Sequence, residues 1–155
     1  MNKKIFLFLT LVLLAGCGFT PMLKGFDVSR LNIQAIKYSG NNELIYLIKT
    51  YLNINENNNQ GLIVQISISE TSSSSMKNSS GVTTEENFMV NANINVSNNK
   101  QENLLSDTVS ASKRVAISNN LNADEETKKI QRNNLTRDLA QKIKFKLVMI
   151  AKQTQ

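Results

Sequence analysis

The 155-residue chain has no histidine, no tryptophan, one cysteine and one proline. A Ser-His-Asp or Cys-His catalytic centre needs an imidazole base, so both are excluded. Structural zinc takes about four Cys or His ligands, and one is present. A single cysteine also rules out an internal disulfide. The six glycines form no phosphate-binding loop. Two Ser-x-x-Lys motifs occur, Ser74 to Lys77 and Ser110 to Lys113. That spacing serves catalysis at the start of a buried helix. One motif here falls in a polar loop or hairpin and the other in a strand, where residues three apart face opposite ways. No Lys-Thr-Gly companion exists. The expectation is a non-enzyme with no catalytic residues, no metal and no cofactor.

What the chain does have starts at its N-terminus. Lys3 and Lys4 precede an apolar run, Ile5 to Leu14, that ends in the small residues Ala15 and Gly16. Charge, apolar segment and small residues in that order describe an export leader. The run is about half of the ~20 residues a spanning helix needs, so a permanent membrane span is not expected. Leu14-Ala15-Gly16-Cys17 resembles the bacterial lipobox. That resemblance implies cleavage between Gly16 and Cys17, a diacylglycerol on the Cys17 thiol and an acyl group on its new amine. Two or more acyl chains anchor a protein stably, at ~0.8 kcal/mol per buried CH₂. Gly18 stands where an aspartate would resemble an inner-membrane retention signal, so an outer-membrane, periplasm-facing location is expected. Without Lys3 and Lys4 the chain keeps 16 basic residues against 12 acidic, a net charge of +4. That balance suits either acidic lipid or ordinary surface charge.

The organisation read from the sequence is a leader over 1–16, a lipidated tether over 17–29 and one domain over 30–155. Leu31 and Ile33 alternate with polar residues, and the phase slips at Ala35-Ile36, which signals a bulge or a short strand. Asn41 or Asn42 caps a helix whose apolar positions Leu44, Ile45, Leu47, Ile48, Tyr51 and Leu52 recur at helical spacing. Leu62, Val64, Ile66 and Ile68 mark a half-buried strand, and Phe88, Val90, Ala92, Ile94 and Val96 a cleaner one, interleaved with Met89, Asn91, Asn93, Asn95 and Ser97, so one face of the sheet is apolar and the other almost wholly polar. The serine-rich stretch between them, 70–86, is either a loop or the extension of both strands into a long hairpin with its tip near Asn78 to Gly81. Ser and Thr tolerate strand geometry, which favours the hairpin. A weaker strand spans about Leu104 to Ile117, because Asp107 and Lys113 share a phase with Val109 and Val115. A long closing helix follows, with Asn122 and Glu125 as a capping box. Its stripe Leu135, Leu139, Ile143 and Leu147, joined by Ile130 and Ile150, is read as the seam that covers the sheet. The expected fold is therefore α+β, two helices packed on one face of a four-stranded, mainly antiparallel sheet in the order β-α-β-β-β-α. Asparagine, with 22 residues, is read as compositional bias.

These features together resemble the LPS-assembly lipoprotein LptE family. The Cys17-Gly18-Phe19 start, the element order and the ending Leu139-Ala140-Gln141-Lys142-Ile143 through Leu147 carry the likeness. Asn120-Leu121-Asn122-Ala123 departs from the Tyr-Ala pair many family members have before the last helix. The resemblance implies a non-enzymatic outer-membrane lipoprotein that plugs an LptD-like β-barrel, supports its assembly and helps lipopolysaccharide reach the outer leaflet. Its partners would be that barrel, lipopolysaccharide, and the membrane through the lipid anchor, with no nucleic acid. From charge alone, Lys77, Lys113 and Arg114 are candidates for contact with lipid phosphates. The other reading is an unrelated outer-membrane-anchored lipoprotein that acts as a periplasmic binding or scaffold module.

Overall fold

The computed structural model describes residues 31–56 and 61–153. The leader, Gly16, Cys17 and the tether lie outside the described residues. The elements are β1 (Ile33–Gly40), α1 (Asn42–Leu52), β2 (Leu62–Lys77), β3 (Thr83–Ser97), β4 (Asn103–Ala116) and α2 (Leu121–Gln153). They form one four-stranded sheet in the order β1-β2-β3-β4. β1 runs parallel to β2, while β2, β3 and β4 pair antiparallel. A parallel neighbour needs a crossover, and α1 supplies it.

Alternation along the strands sends one set of side chains inward. Val64, Ile66 and Ile68 on β2, Phe88 to Val96 at every second position on β3, and Val109, Ala111 and Val115 on β4 are buried. They join Leu44, Ile48 and Leu52 of α1 and Leu135, Leu139, Ile143 and Leu147 of α2 in one core. Both helices thus cover the same face, as the apolar stripe requires. Ile150 belongs to the seam, but Ile130 is 53% exposed and does not. The reason is local: at that level α2 meets the sheet through charged side chains.

The sheet's irregularities fall where the sequence loses phase. The β1 register shifts between Ile33 and Ala35, which restores an inward Ile36 opposite Val64. β2 and β3 stay paired from Ile63↔Ser97 out to Lys77↔Thr83, with shifts on either side of Met76, so 70–86 is the extended hairpin. One asparagine builds each hairpin turn. Asn78 Oδ1 accepts from the backbone N–H of Ser80 and Val82, and Asn98 Oδ1 from those of Lys100 and Glu102, all at 2.9–3.0 Å. Asparagine closes turns through its own side chain in this way.

Asn41 is the N-cap of α1, with Oδ1 2.9 Å from Glu43 N. Gly40, just before it, has φ +114°, and a Cβ there would lie 2.0 Å from the Ile68 carbonyl oxygen. Only glycine lets β1 end this close to β2. The start of α2 differs from the expected capping box. Asn120, not Asn122, accepts from the helix through Oδ1, at 3.4 Å from Ala123 N. Asp124 Oδ1 takes both the N–H and the hydroxyl of Ser118 at 2.8 Å. That clamp fastens the incoming chain to the first turn and moves the cap two residues earlier.

Candidate interaction surface

The face of the sheet turned away from the helices is built almost wholly of Ser, Thr and Asn. The register aligns it in rows across β2, β3 and β4: Gln65, Asn95 and Ser106; Ser67, Asn93 and Thr108; Ser69, Asn91 and Ser110; Thr71, Met89 and Ser112. Within β2, β3 and β4 none of these four rows holds a charged side chain; on β1 the exposed Lys37 continues the first row opposite Gln65. The next row adds one, with Ser73 and Asn87 beside Arg114. Thr108 Oγ1 donates to Asn93 Oδ1 at 2.8 Å across the second row. Apart from Asn91 and Met89, which are half-buried, the side chains of the four rows are exposed. The polar face of β3 was legible in the alternation of its sequence; what the sequence did not carry is the register that aligns it in rows with β2 and β4. The signal was the phase: Asn87, Asn91, Asn93 and Asn95 all fall on the polar side of one strand.

The three cations read as phosphate contacts are all exposed, and the register spreads them apart. Arg114 stands on the polar face opposite Asn87, while Lys113, opposite Phe88, takes the phase that faces the helices. Lys77 ends β2 opposite Thr83, four residues along β3 from the Arg114 row, or roughly 13 Å at strand rise. They do not surround one point.

Charge instead concentrates between α2 and the distal half of the sheet. Arg132 makes two bonds to Glu70, Nε to Oε2 at 2.6 Å and Nη2 to Oε1 at 3.0 Å. It also approaches Glu43 of α1 at 3.6 Å and lies over the Phe88 ring. One helical turn earlier, Lys128 meets Glu86 at 3.0 Å, and Ser72 donates to the same carboxylate at 2.6 Å. The Ser72 hydroxyl first, then Lys128, holds the Glu86 carboxyl below its ordinary range. Burial, then Glu56, pushes the Tyr38 hydroxyl up to about 12, so it stays neutral.

A cleft of about 480 Å³ separates β4 from the C-terminal half of α2, with Val109, Phe145, Lys142 and Lys146 on its walls. Among the described residues no helix is long and apolar enough to cross a membrane. Among the same residues no group of three His, Cys, Asp or Glu is placed to hold a metal ion.

No protein-family model matches the chain, and no curated protein matches it. Solved structures do. A four-stranded sheet with one parallel edge pair and two helices on one face matches rare lipoprotein B from Shewanella oneidensis, with a TM-score of 0.63. The chain has the rare lipoprotein B fold. Identity to that protein is 12%, over 77% of this chain and 97% of the other. A minor lipoprotein from Acinetobacter baumannii matches with a TM-score of 0.57 and 15% identity, over 79% and 95% of the two chains. Lipoprotein B from Nitrosomonas europaea matches with a TM-score of 0.56 and 12% identity, over 76% and 83%. Rare lipoprotein B is another name for LptE, so the fold is the one the sequence resemblance implied.

Proposed function

We propose that this chain is an outer-membrane lipoprotein, anchored through Cys17, that plugs an LptD-like β-barrel and supports its assembly. In that place it would help lipopolysaccharide pass to the outer leaflet. The observation that carries this reading is the rare lipoprotein B fold following a lipobox. The sheet adds support. The lumen of a large outer-membrane barrel is polar and wet. A broad face of Ser, Thr and Asn offers donors and acceptors to such a wall without stranding a charge against it. The long β2–β3 hairpin extends that face beyond the edge of β1. Lys77, Lys113 and Arg114 remain candidates for lipid phosphate contact, as separate points on the distal end.

The decisive experiment is affinity purification of the tagged, full-length chain from its own membranes in mild detergent. A large β-barrel that stays folded on a non-boiled gel should accompany it in stoichiometric amount. Recovery of the chain alone, from membranes in which it is lipidated, would overturn the reading.

A further inference from the structure

β4 is one of the two edge strands of the sheet, and two of its backbone groups are taken by side chains of the same molecule. Lys142 of α2 donates to the Ser110 carbonyl. Asp107 Oδ1 accepts from the Thr108 N–H at 2.8 Å, and its other oxygen holds Lys146 at 2.6 Å. In an antiparallel pair the backbone groups of alternate residues point away from the neighbour. Ser110 and Thr108 share that phase, so Ser106, Thr108, Ser110, Ser112 and Arg114 present theirs to the open edge.

That edge is complementary to itself. If a second copy is laid antiparallel with Ser110 opposite Ser110, all the outward groups pair, Thr108 with the second copy's Ser112 and Ser106 with its Arg114. On the helix side Val109 falls opposite the second copy's Ala111. Asp107 falls opposite its Lys113, twice by symmetry. Opposite charges directly across a strand pair stabilise it, and like charges oppose it. An isologous contact of this kind closes on itself as a dimer. Yet Lys142 occupies the carbonyl at the symmetry centre, and Asp107, tied to Lys146, occupies the amide beside it. Natural sheets blunt their edges with lysine in this manner.

We propose that β4 is a self-pairing edge that binds a second copy of this chain about Ser110, and that Lys142 is the latch keeping it shut. The inference is independent of the barrel reading, because it concerns the chain before any partner covers the edge.

Sedimentation velocity of the full-length chain in mild detergent, over a concentration series, tests it. Lys142→Met keeps the aliphatic stem and removes the amine. It should self-associate at least about tenfold more tightly than the wild-type chain. Ser110→Pro removes an N–H that faces the edge and not β3, a position an edge strand tolerates. Added to Lys142→Met it should return the monomer with an unchanged melting curve. In the same Lys142→Met background, the charge swap Lys113→Glu should weaken the dimer, because it sets like charges opposite each other at Asp107 and leaves the Asp107 contacts in place. A Lys142→Met chain that stays monomeric would overturn the proposal. So would a dimer indifferent to both Ser110→Pro and the charge swap, or a wild-type chain that dimerises as tightly as the variant.

Discussion

Arg132 should behave as the tie that holds α2 to the polar half of the sheet. Its side chain is 15% exposed and that of Glu70 is 23%, and two bonds of 2.6 and 3.0 Å join them. The Glu70 hydrogen bond is the first cause that raises the Arg132 pKa, ahead of the opposing effect of burial. Arg132→Met keeps an apolar stem near Phe88 and deletes the fork. Hydrogen bonds to charged groups contribute about 1.5–3 kcal/mol, and removing one member of a fully buried pair costs about 3–5 kcal/mol. Water can still reach a quarter of Glu70, so a loss of about 2–3 kcal/mol is expected. For a domain of this size that lowers Tm by about 10 °C. Urea unfolding of Arg132→Met, Glu70→Met and the double variant forms the cycle. The double variant should be clearly more stable than the sum of the singles, because no lone carboxylate or guanidinium is left half-buried. A loss under about 0.5 kcal/mol for Arg132→Met, or strict additivity, would show that the fork contributes nothing beyond a surface pair.

Gly40→Ala places a methyl group on the Ile68 carbonyl at a positive φ, so it should cost more than about 2 kcal/mol in chemical denaturation; a smaller loss would show that β1 can retreat from β2. The lowered pKa values of Glu86 and Asp124 mean that their stabilisation is present above the ordinary carboxylate pKa, about 4, and is lost as pH falls through the folded values. Urea midpoints should therefore drop between pH 5 and pH 3, with a shallower drop in Glu86→Gln; a midpoint that rises with acid would contradict the assignment. Cys17→Ala should leave an unprocessed precursor that takes up no labelled fatty acid, and normal maturation would remove the lipobox reading. Asn93→Lys and Asn93→Glu should melt within about 1 kcal/mol of the parent, as surface changes do, but both should weaken capture of the barrel. Tolerance of either sign of charge at that position would leave the polar face without a partner.

The period-2 pattern of β3 and the four-residue stripe of α2 were enough to place the core, because a side chain's face follows from its position in the repeat. The serine-rich stretch stayed ambiguous between loop and hairpin. Ser72 to Ser75 have no apolar member to show a phase, and pairing with Glu86 and Asn87 on β3 is what makes them a strand. Ile130 was misplaced for the converse reason. It fits the helical spacing, but the sheet residues opposite that turn are Glu70, Ser72 and Glu86, which recruit Arg132 and Lys128 instead. The cap of α2 was displaced by a contact six residues long, Ser118 with Asp124, that no local motif encodes. Of the site, the lone cations could be named from charge, but their separation is a property of register. The ordering of the β3 asparagines into one face was legible in the alternation, while the rows they form with Ser and Thr of β2 and β4 depend on register.

That ordering bears on what the face does. Asparagine is disfavoured in strands, and a merely solvated sheet face is better served by Thr, Lys and Glu. β3 nevertheless carries Asn87, Asn91, Asn93 and Asn95 on one side, each flanked by Ser, Thr, Gln or Arg of the neighbouring strands. Within β2, β3 and β4 those four rows carry no charged side chain, and the charge nearest them is at their margins, Lys37 of β1 beside Gln65 and Arg114 in the next row. A short amide donates and accepts, so a row of them matches any arrangement of polar groups opposite and needs no counter-charge when water is squeezed out. Charged residues in the same rows would raise solubility but would have to be stripped of water on docking, at a cost of several kcal/mol each when unpaired. The distribution is what a surface would show if it spends its working life against a polar wall, and the ionic ties of Arg132 and Lys128 lie on the opposite side of the sheet, where they stiffen that surface without entering it.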